Sequence, residues 1–505
     1  MSIRDSKFKN TSHDLQNYLE RYFLNRNMTK WLEIRILHYY NGLENRIERG
    51  TIVMKKINID VVVIGGSAAG LVSAMTTKSF HPTKEVMVIR KEEKVMIPCG
   101  IPYVFGTLGT TEGNILPDKG LQNLGVKIKI DTVEKINVEE HSVETKDGTI
   151  ITYEKLIIAT GSRPFVPKNL KGTNLENVFT VPKNKEYLDM FNEKLKGHKK
   201  VVIIGAGFIG VEFADELNKL DKEVTLVELQ EHILSATFHK DTCSIAEEQL
   251  SKRGVKIISG VAVKELVGTD KVEKVLLQDG TTIDADAVVL SIGYTPNIDL
   301  AKDSGISCNK QGFIKVDTYM RTHQKDIFAC GDCAQKRHFI TGKIIPVMLA
   351  STACAEARVA GMNLYDLSTI KTFSGTIGIY STNIGDTTFG VAGLTEKEAV
   401  EDGLTVVTGI FKGMDRHPGS LNNPHYQQVK LIANRNCGLI LGGEVVGGVS
   451  AGELTNVLGF IIQNKMTITD LLCSQIGTQP MLTASPAAYP IIKAAEMVAR
   501  KVLNH

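Results

Sequence analysis

The chain has 505 residues, a formal net charge of +3 and a hydrophobic content of 43%. This length predicts about two to four domains with sizeable cores. Residues 1–55 carry ten Lys and Arg and six Asp and Glu, so the rest, with 49 and 50, is nearly neutral. A neutral body lacks the basic surface that a phosphate backbone requires, which excludes nucleic acid as the expected partner.

Cysteine content and hydropathy indicate the setting of the protein. Eight cysteines in a chain of this length are too few for a disulfide scaffold and favour a reducing, cytoplasmic compartment. No apolar run approaches the roughly 18 to 20 residues of a membrane span. The N-terminus also lacks the apolar core of a signal peptide. We therefore expect a soluble protein without a membrane partner.

Residues 1–53 differ from the rest of the chain. They contain the only tryptophan, Trp31, within a cluster of aromatic and charged residues. They precede "MKKINIDVVVIGG", which resembles a natural protein start at Met54. Our hypothesis is an appended or misassigned leader of unknown role and without catalytic function; the alternative is a small helical docking segment.

The first chemical motif is "IDVVVIGGSAAGLVSAMTTKSF", residues 59–80. Its apolar strand, glycine turn and Ala-rich segment predict a strand, a phosphate-binding turn and a helix. Gly65 permits the tight turn and Gly70 a close helix–strand approach, while Ser67 takes the middle glycine position. The helix N-terminus would bind a pyrophosphate. The predicted loop comprises Gly65, Gly66, Ser67, Ala68, Ala69 and Gly70.

The second strand of this unit is "EVMVIRKEEK". A carboxylate usually ends such a strand and binds a ribose. Here that position is Arg90, followed by Lys91, and we predict contacts to the adenosine side of the nucleotide from these two residues. Glu92, two residues later, is the alternative carboxylate.

A second copy of the motif is "KKVVIIGAGFIGVEFADELNKLDKEVTLVEL", residues 199–229. It has all three glycines, Gly205, Gly207 and Gly210, and its second strand ends in Glu228. This spacing is typical of a carboxylate that accepts both ribose hydroxyls and repels a 2′-phosphate. The motif predicts NADH rather than NADPH; the alternative is an ordinary packed strand–helix turn.

Three further segments each combine a strand with a glycine. They are "KLIIATGSRP" with Ala159, Thr160 and Gly161, "AVVLSIGYTPN" with Gly293, and "THQKDIFACGDCA" with Gly331 and Asp332. Two nucleotide units in one chain suggest a donor and an acceptor that bind close together.

These motifs, in this order, resemble the pyridine nucleotide-disulfide oxidoreductases, flavoproteins with two dinucleotide-binding domains. The resemblance spans residues 56–500 and implies an α/β fold, in which an FAD domain is interrupted by an NAD domain and followed by a C-terminal α+β dimerisation domain. It implies FAD-domain residues 54–170 and 298–370, NAD-domain residues 171–297 and dimerisation-domain residues 371–505. It also implies a homodimer, with Asp332 on the ribityl chain of the flavin.

The resemblance gives a role to Cys99 in "KVMIPCGIPYVFG". The local sequence alone favours a structural thiol in the core, because cysteine is among the most buried residue types. Two-cysteine members of the family have a second cysteine five residues later, where this chain has Val104. The chain thus resembles the single-cysteine branch: coenzyme A disulfide reductases, NADH oxidases and peroxidases, and polysulfide or persulfide reductases. Cys99 would then lie against the flavin, on a rigid turn that starts a helix and favours the thiolate.

Residues of the second motif also acquire roles by resemblance. Phe208 occupies the position of an aromatic residue that covers the flavin until nicotinamide displaces it; the alternative is a core aromatic. Glu212 would orient the nicotinamide or merely favour the start of a helix, and Ile209 completes the predicted NAD contacts. Cys330 and Cys333 form a CxxC pair without a second ligand pair, so we expect packing and no metal site.

The C-terminal segment leaves the substrate open. Gln479 stands where two-cysteine members have a histidine that acts as acid or base, and glutamine does not transfer protons at neutral pH. Tyr489 is the only local candidate for the tyrosine of coenzyme A disulfide reductases, so coenzyme A remains an open possibility. We favour an NADH-dependent reductase of small disulfides, persulfides or polysulfides. The alternatives are an NADH oxidase or peroxidase acting on oxygen or peroxide through a cysteine sulfenic acid, and a flavin-based redox sensor with little turnover.

Overall fold

A computed structural model describes residues 55–367, 372–421 and 423–503. The leader predicted at residues 1–53 lies outside this range. Ile57–His505 forms one compact unit.

The first part of the chain supplies most of one sheet. Three short 3₁₀ helices lie between β3 and β4, at Pro98–Gly100, Pro102–Phe105 and Thr111–Asn114. The other elements are β1 (Lys56–Ile64), α1 (Ala68–Phe80), β2 (Val86–Arg90), β3 (Val95–Met96), β4 (Ile115–Leu116), α2 (Lys119–Asn123), β5 (Lys127–Ile130), β6 (Val133–Asn137), β7 (Ser142–Thr145), β8 (Ile150–Ile158) and β9 (Ser162–Pro164).

The middle part repeats the alternation of strands and helices. Its elements are β10 (Val178–Thr180), α3 (Lys185–Lys196), β11 (Lys200–Ile204), α4 (Phe208–Asn218), β12 (Glu223–Val227), α5 (Lys240–Lys252), β13 (Lys256–Ile258), β14 (Val263–Val267), β15 (Lys274–Leu277), β16 (Thr282–Asp284), β17 (Ala287–Leu290), β18 (Tyr294–Pro296) and α6 (Asp299–Asp303).

The last part contains a second kind of sheet. Its elements are β19 (Ile327–Ala329), β20 (Lys336–Arg337), β21 (Ile344–Ile345), α7 (Ala350–Met362), β22 (Tyr380–Ile384), β23 (Thr387–Gly393), α8 (Glu396–Glu401), β24 (Val406–Met414), β25 (Tyr426–Asn434), β26 (Ile440–Gly447), α9 (Ser450–Gln463), α10 (Ile468–Leu472), a 3₁₀ helix (Pro486–Ala488) and α11 (Pro490–Leu503).

Two sheets carry the glycine turns. The first has the order β5-β2-β1-β8-β7-β6, with β19 paired in parallel to β8, and the second has the order β10-β17-β11-β12-β13. The neighbours of the second sheet are all parallel. Val61, Val62 and Val63 of β1 have no exposed surface, as expected of parallel strands that are covered on both faces. Both glycine turns follow the carboxyl ends of strands, where such sheets bind ligands.

The C-terminal sheet is antiparallel. Its order is β22-β23-β26-β25-β24, so β22 is an edge strand. The helices α9 and α11 pack on it. The apolar face of α11 consists of Ile491, Ala494, Ala495 and Val498, all at most 1% exposed, at the spacing of one helix face. The predicted fold class, two dinucleotide-binding sheets and an α+β C-terminal domain, is confirmed.

The described residues contain no helix of the length and apolar character needed to cross a membrane.

The packing of α11 on β24 generates a stability prediction. A Cβ added at Gly409 would lie 2.4 Å from the carbonyl oxygen of Ala494, so the Gly409→Ala variant must displace α11. We expect it to lose about 1–3 kcal/mol of unfolding free energy, measured by urea denaturation. The control is Gly452→Ala in α9, where no atom lies within 4 Å of the added Cβ; it should be neutral or stabilising by up to about 1 kcal/mol. Equal stability of the two variants would contradict this packing.

Candidate active site

A cleft of about 1260 Å³ lies between the two glycine turns, and it is called the central cleft below. It is large enough for extended small-molecule ligands. Most of the site residues predicted from the sequence line it: Gly65, Gly66, Ser67, Ala68, Ala69, Cys99, Ala159, Thr160, Gly161, Gly205, Gly207, Phe208, Ile209, Glu212, Glu228, Gly293, Gly331 and Asp332.

The first glycine turn is closed by contacts that admit no side chain. Gly65 has φ +111°, and a Cβ there would lie 2.2 Å from the carbonyl oxygen of Ala159. A Cβ at Gly70 would lie 1.9 Å from the carbonyl oxygen of Gly65. Gly70 therefore does not line the cleft but packs helix α1 against the turn. The Ser67 side chain makes no capping hydrogen bond, so the first N–H groups of α1 remain available to an anion such as a pyrophosphate.

Arg90 and Lys91 do not line the central cleft. The Arg90 guanidinium, 2% exposed, donates to both carboxylate oxygens of Asp118 at 2.5 and 2.6 Å and to the carbonyls of Glu92 and Glu93. Its alkyl chain lies directly under Gly66. Because all of these bonds are to protein groups, Arg90 stabilises the glycine turn by packing against it. Glu92, the alternative carboxylate at the end of this strand, does line the cleft.

The second glycine turn has the same architecture. Gly205 has φ +97°, and a Cβ at Gly210 would lie 1.9 Å from the Gly205 carbonyl oxygen, so Gly210 packs behind the turn. The Glu228 carboxylate accepts hydrogen bonds from the N–H groups of Ala206, at 2.6 Å, and Gln230, at 2.8 Å. Held at the cleft, this carboxylate is placed to accept ribose hydroxyls and to repel a 2′-phosphate.

A buried ion pair holds the Gly331 turn. Lys336 and Glu356 are 3.1 Å apart, and neither side chain has exposed surface. Lys336 also donates to the carbonyl of Gly331 at 2.6 Å, and Glu356 accepts from the N–H of Gly331 at 2.9 Å. Burial raises the pKa of Glu356, and these bonds offset that effect only in part. The pair therefore clamps the peptide that presents Asp332 to the cleft.

Asp332 is itself paired. Its Oδ2 accepts from Lys183 Nζ at 2.8 Å and from Ser162 Oγ at 2.7 Å. Burial raises the pKa of Asp332, but the charge and hydrogen bond of Lys183 and the bond from Ser162 outweigh it, so the net pKa lies below the usual value. Lys183 and Ser162 were missed from the sequence. Ser162 follows the predicted Gly161 directly, whereas no local signal marks Lys183.

Cys99 is an exposed free thiol at the wall of the cleft. It lies in the first of two short 3₁₀ helices and not at the start of an α-helix, which corrects that part of the expectation. The turn is rigid, since the Asn114 amide donates to the carbonyl of Ile97 at 2.9 Å and its oxygen would clash with any Cβ at Gly100.

Residues 94–108, called the Cys99 segment below, are tied to helix α4. The Glu216 carboxylate, 1% exposed, accepts from the N–H of Thr107 at 2.5 Å and from its hydroxyl at 3.0 Å. Lys219 pairs with the same carboxylate at 2.5 Å. The thiol and the second glycine turn therefore belong to one hydrogen-bonded assembly.

Other residues singled out from the sequence lie elsewhere. The thiols of Cys330 and Cys333 are fully buried, burial raises both pKa values, and the Cys333 thiol donates to the carbonyl of Ile158. Gln479 and Tyr489 do not line the cleft of this chain. Within the described ranges no group of three or more His, Cys, Asp or Glu is placed to hold a metal ion.

The buried ion pair generates a prediction. Lys336→Met leaves Glu356 buried without its cation, and we expect a loss of about 3–5 kcal/mol of unfolding free energy, with weaker retention of the bound nucleotide. The double variant Lys336→Met/Glu356→Gln should regain most of this loss. The control Lys127→Met removes a half-exposed pair with Glu85 and should cost no more than about 1 kcal/mol. Equal losses for Lys336→Met and Lys127→Met in urea denaturation would contradict the assignment.

Comparison with known proteins places this geometry in context. The family model described as "Pyridine nucleotide-disulphide oxidoreductase" matches residues 59–357, and its "dimerisation domain" matches residues 379–488. An NADH oxidase of Methanocaldococcus jannaschii is 30% identical over 458 residues, which cover 88% of this chain and 99% of the relative. An NAD(P)H coenzyme A polysulfide/persulfide reductase of Pyrococcus horikoshii is 34% identical over 401 residues, which cover 77% and 87%.

A solved structure is similar to this chain over most of its length. The NAD-dependent persulfide reductase of A. fulgidus superimposes with a TM-score of 0.81 at 30% identity, covering 88% of this chain and 83% of that one.

Proposed function

Because the chain belongs to the pyridine nucleotide-disulphide oxidoreductase family, we propose that Cys99 transfers electrons from NADH, by way of FAD, to a small disulfide, persulfide or polysulfide. Members of the family are FAD-dependent NAD(P)H oxidoreductases, so the predictions of family, enzyme class and cofactors are confirmed. The sulfur acceptor, the preference for NADH and the role of each residue are our proposals.

One observation carries the proposal: a single exposed thiol shares the central cleft with both glycine turns. The two turns fit dinucleotides, because each offers a helix N-terminus and a cradle that a Cβ would fill. The first turn, with Gly331 and Asp332, would hold FAD. The second turn, with Glu228 at the ribose, would hold NADH. FAD supplies the capacity to accept a hydride and to pass an electron pair to sulfur, which side chains lack.

The chemistry of Cys99 follows from its lone thiol. Its thiolate attacks one sulfur of the S–S bond of the substrate and forms a mixed disulfide, while the other sulfur leaves as a thiolate or hydrosulfide. Cleavage of the mixed disulfide consumes the electron pair that NADH supplies, takes up a proton and returns the Cys99 thiolate with the second sulfur product. The name of the Pyrococcus horikoshii relative supports a sulfur acceptor, including one attached to coenzyme A.

A second candidate function uses the same thiol. With peroxide, the Cys99 thiolate would become a sulfenic acid as hydroxide leaves, and the electron pair from NADH, together with a proton, would return it to the thiolate and release water. Both candidates need only the single cysteine, with Val104 in place of a partner; the NADH oxidase among the relatives favours the second. The two differ in the oxidant and in the oxidised form of Cys99.

We also propose a homodimer. The match to the dimerisation domain supports it. Val449 and Phe460, 87% and 66% exposed, are eleven residues apart along α9 and so lie on the same helix face; an exposed apolar face of this kind is typical of protein interfaces. Sedimentation equilibrium of the purified protein measures this directly.

The experiment that tests the function is an anaerobic NADH titration of wild type and Cys99→Ser. Both proteins should contain FAD and bleach on addition of NADH, because Cys99 contributes no part of either glycine turn. Turnover of sulfur substrates should fall at least about 1,000-fold in Cys99→Ser. The control, Cys437→Ser, removes another exposed thiol and should leave turnover unchanged.

The oxidants are then added separately to the reduced wild-type protein: oxygen, peroxide, coenzyme A disulfide and polysulfide. Reoxidation by the sulfur compounds supports the reductase, and reoxidation by oxygen or peroxide alone supports the second candidate. Failure of all four would leave a redox sensor and overturn the proposal, as would full sulfur turnover by Cys99→Ser.

A further inference from the structure

The edge strand β22 of the C-terminal sheet lies along helix α4. Residues of β22 and of the turn that follows it meet three positions of α4 that are four and three residues apart: Phe208, Glu212 and Asp215. Such spacing places the three on one face of the helix. Tyr380 contacts Phe208, Thr382 contacts Glu212, and the N–H of Gly385 donates to Asp215 at 3.4 Å. One face of α4 therefore contacts Tyr380 and Thr382, which are alternate residues of β22, and Gly385 in the turn that follows the strand.

The first contact is an aromatic stack. The rings of Tyr380 and Phe208 have centroids 5.3 Å apart and are nearly parallel, at 5°. Phe238 contacts Phe208 as well, with centroids 5.9 Å apart. Tyr380 and Phe208 both line the central cleft. The position of the Phe208 ring at the cleft is therefore set by a side chain of the C-terminal domain.

The second contact is a partly buried hydrogen bond. Thr382, 5% exposed, donates its hydroxyl to Glu212 Oε1 at 2.9 Å. Burial raises the pKa of Glu212 to about 7; the bond from Thr382 lowers it, and the charge of Glu216 raises it. The Thr382 hydroxyl thus opposes the burial that favours the neutral carboxyl.

The other charged groups near Glu212 have partners of their own. Glu216 is bound by Lys219 and Thr107, and Asp215 is paired with Arg253. Tyr103 of the Cys99 segment interacts electrostatically with Glu212, Glu216 and Asp215, and burial with these charges raises its pKa, so it stays neutral. No cation in the described residues pairs with Glu212, which leaves Thr382 as its hydrogen-bond donor.

We propose that β22 contributes to NADH binding at the nicotinamide end of the cleft. Tyr380 positions the Phe208 ring, and Thr382 positions the Glu212 carboxylate and favours its ionised form, which binds the carboxamide of NADH. The proposal rests on the proposed function in one respect, the binding of NADH beside Glu212. Tyr380 and Thr382 are positioning residues, since they act through Phe208 and Glu212. The dimerisation domain thereby takes part in nucleotide binding within its own chain.

The pH dependence follows with a definite sign. An ionised Glu212 accepts a hydrogen bond from the carboxamide N–H₂, so NADH affinity should rise as the pH passes through the pKa near 7. Thr382→Val keeps the shape and removes the hydroxyl, so the pKa moves upward. A shift of one unit lowers the ionised fraction about tenfold at a pH below both values. We expect NADH to bind several-fold more weakly to Thr382→Val at pH 7, with little difference at pH 9.

The experiment measures the dissociation constant of NADH between pH 5.5 and 9 in wild type, Thr382→Val and Thr382→Ser. The pH at the midpoint of the change in affinity should be higher in Thr382→Val than in wild type, and close to wild type in Thr382→Ser, which keeps the hydroxyl. Infrared difference spectra, with Glu212→Gln to assign the carboxyl band, follow the same titration without turnover. The matched control is Thr388→Val on β23, which loses a buried hydroxyl bonded to Asn383 but does not face α4; its midpoint should not move.

The Phe208 contact is tested by Tyr380→Leu, which removes the stacked ring. We expect the affinity for NADH to change by a similar factor at every pH, because the Phe208 ring loses its stacked partner, with no change in the midpoint of the pH dependence. An unchanged midpoint in Thr382→Val, or a shift of equal size in Thr388→Val, overturns the role of Thr382. Unchanged NADH binding in Tyr380→Leu overturns that of Tyr380. These results are independent of Cys99→Ser, whose sulfur turnover tests the proposed function.

Discussion

Backbone contacts that leave no room for a side chain determine the architecture of the site. In both turns the last glycine, Gly70 or Gly210, approaches the carbonyl of the first so closely that a Cβ would lie 1.9 Å from its oxygen. The following helix can therefore begin directly at the carboxyl end of a parallel strand, with its free N–H groups in the cleft. Everything else at the site is arranged around these two helix starts.

Helix α4 connects the parts of the cleft that the chain order separates. It begins at the second glycine turn, presents Glu212 to the cleft, and holds the Cys99 segment through Glu216 and Thr107. Through Glu212 and Asp215 it also contacts β22 and the turn that follows the strand. Nucleotide turn, thiol and C-terminal sheet thus share one rigid element, and a displacement of α4 would alter all three together. In a close-packed interior such displacements occur between discrete arrangements and not as a gradual deformation.

The carboxylates around the cleft have three kinds of partner: lysines, backbone N–H groups in the case of Glu228, and a hydroxyl in the case of Glu212. Glu356 is paired with Lys336, Asp332 with Lys183, and Glu216 with Lys219, because a buried charge without a partner is costly. Glu212 has a neutral hydroxyl as its donor instead. Burial therefore raises its pKa to about 7, which makes it a carboxyl of this cleft whose charge can change near neutral pH.

Residue types and their spacing were enough to predict the two strand–turn–helix units, the carboxylate at Glu228, the Gly331–Asp332 turn and the isolation of Cys99. These features depend on local residue types and spacing, since a positive φ, a buried parallel strand or a missing partner cysteine can be read within a few residues. Local spacing also led to Arg90, but the partner that turns its guanidinium away from the cleft, Asp118, lies 28 residues later. Local pattern does not contain such a contact.

Contacts between distant parts of the chain determine which groups hold the residues that line the cleft. Lys183 reaches Asp332 across 149 residues, and Thr382 reaches Glu212 across 170. The helix expected to start at the turn around Cys99 is replaced by short 3₁₀ helices, within a segment held by the Asn114 side chain and Glu216. The cause is the same in each case. The burial and the partners of a side chain depend on which distant segments the fold brings together, and they determine the ionisation and the position of residues that can be recognised from the local sequence.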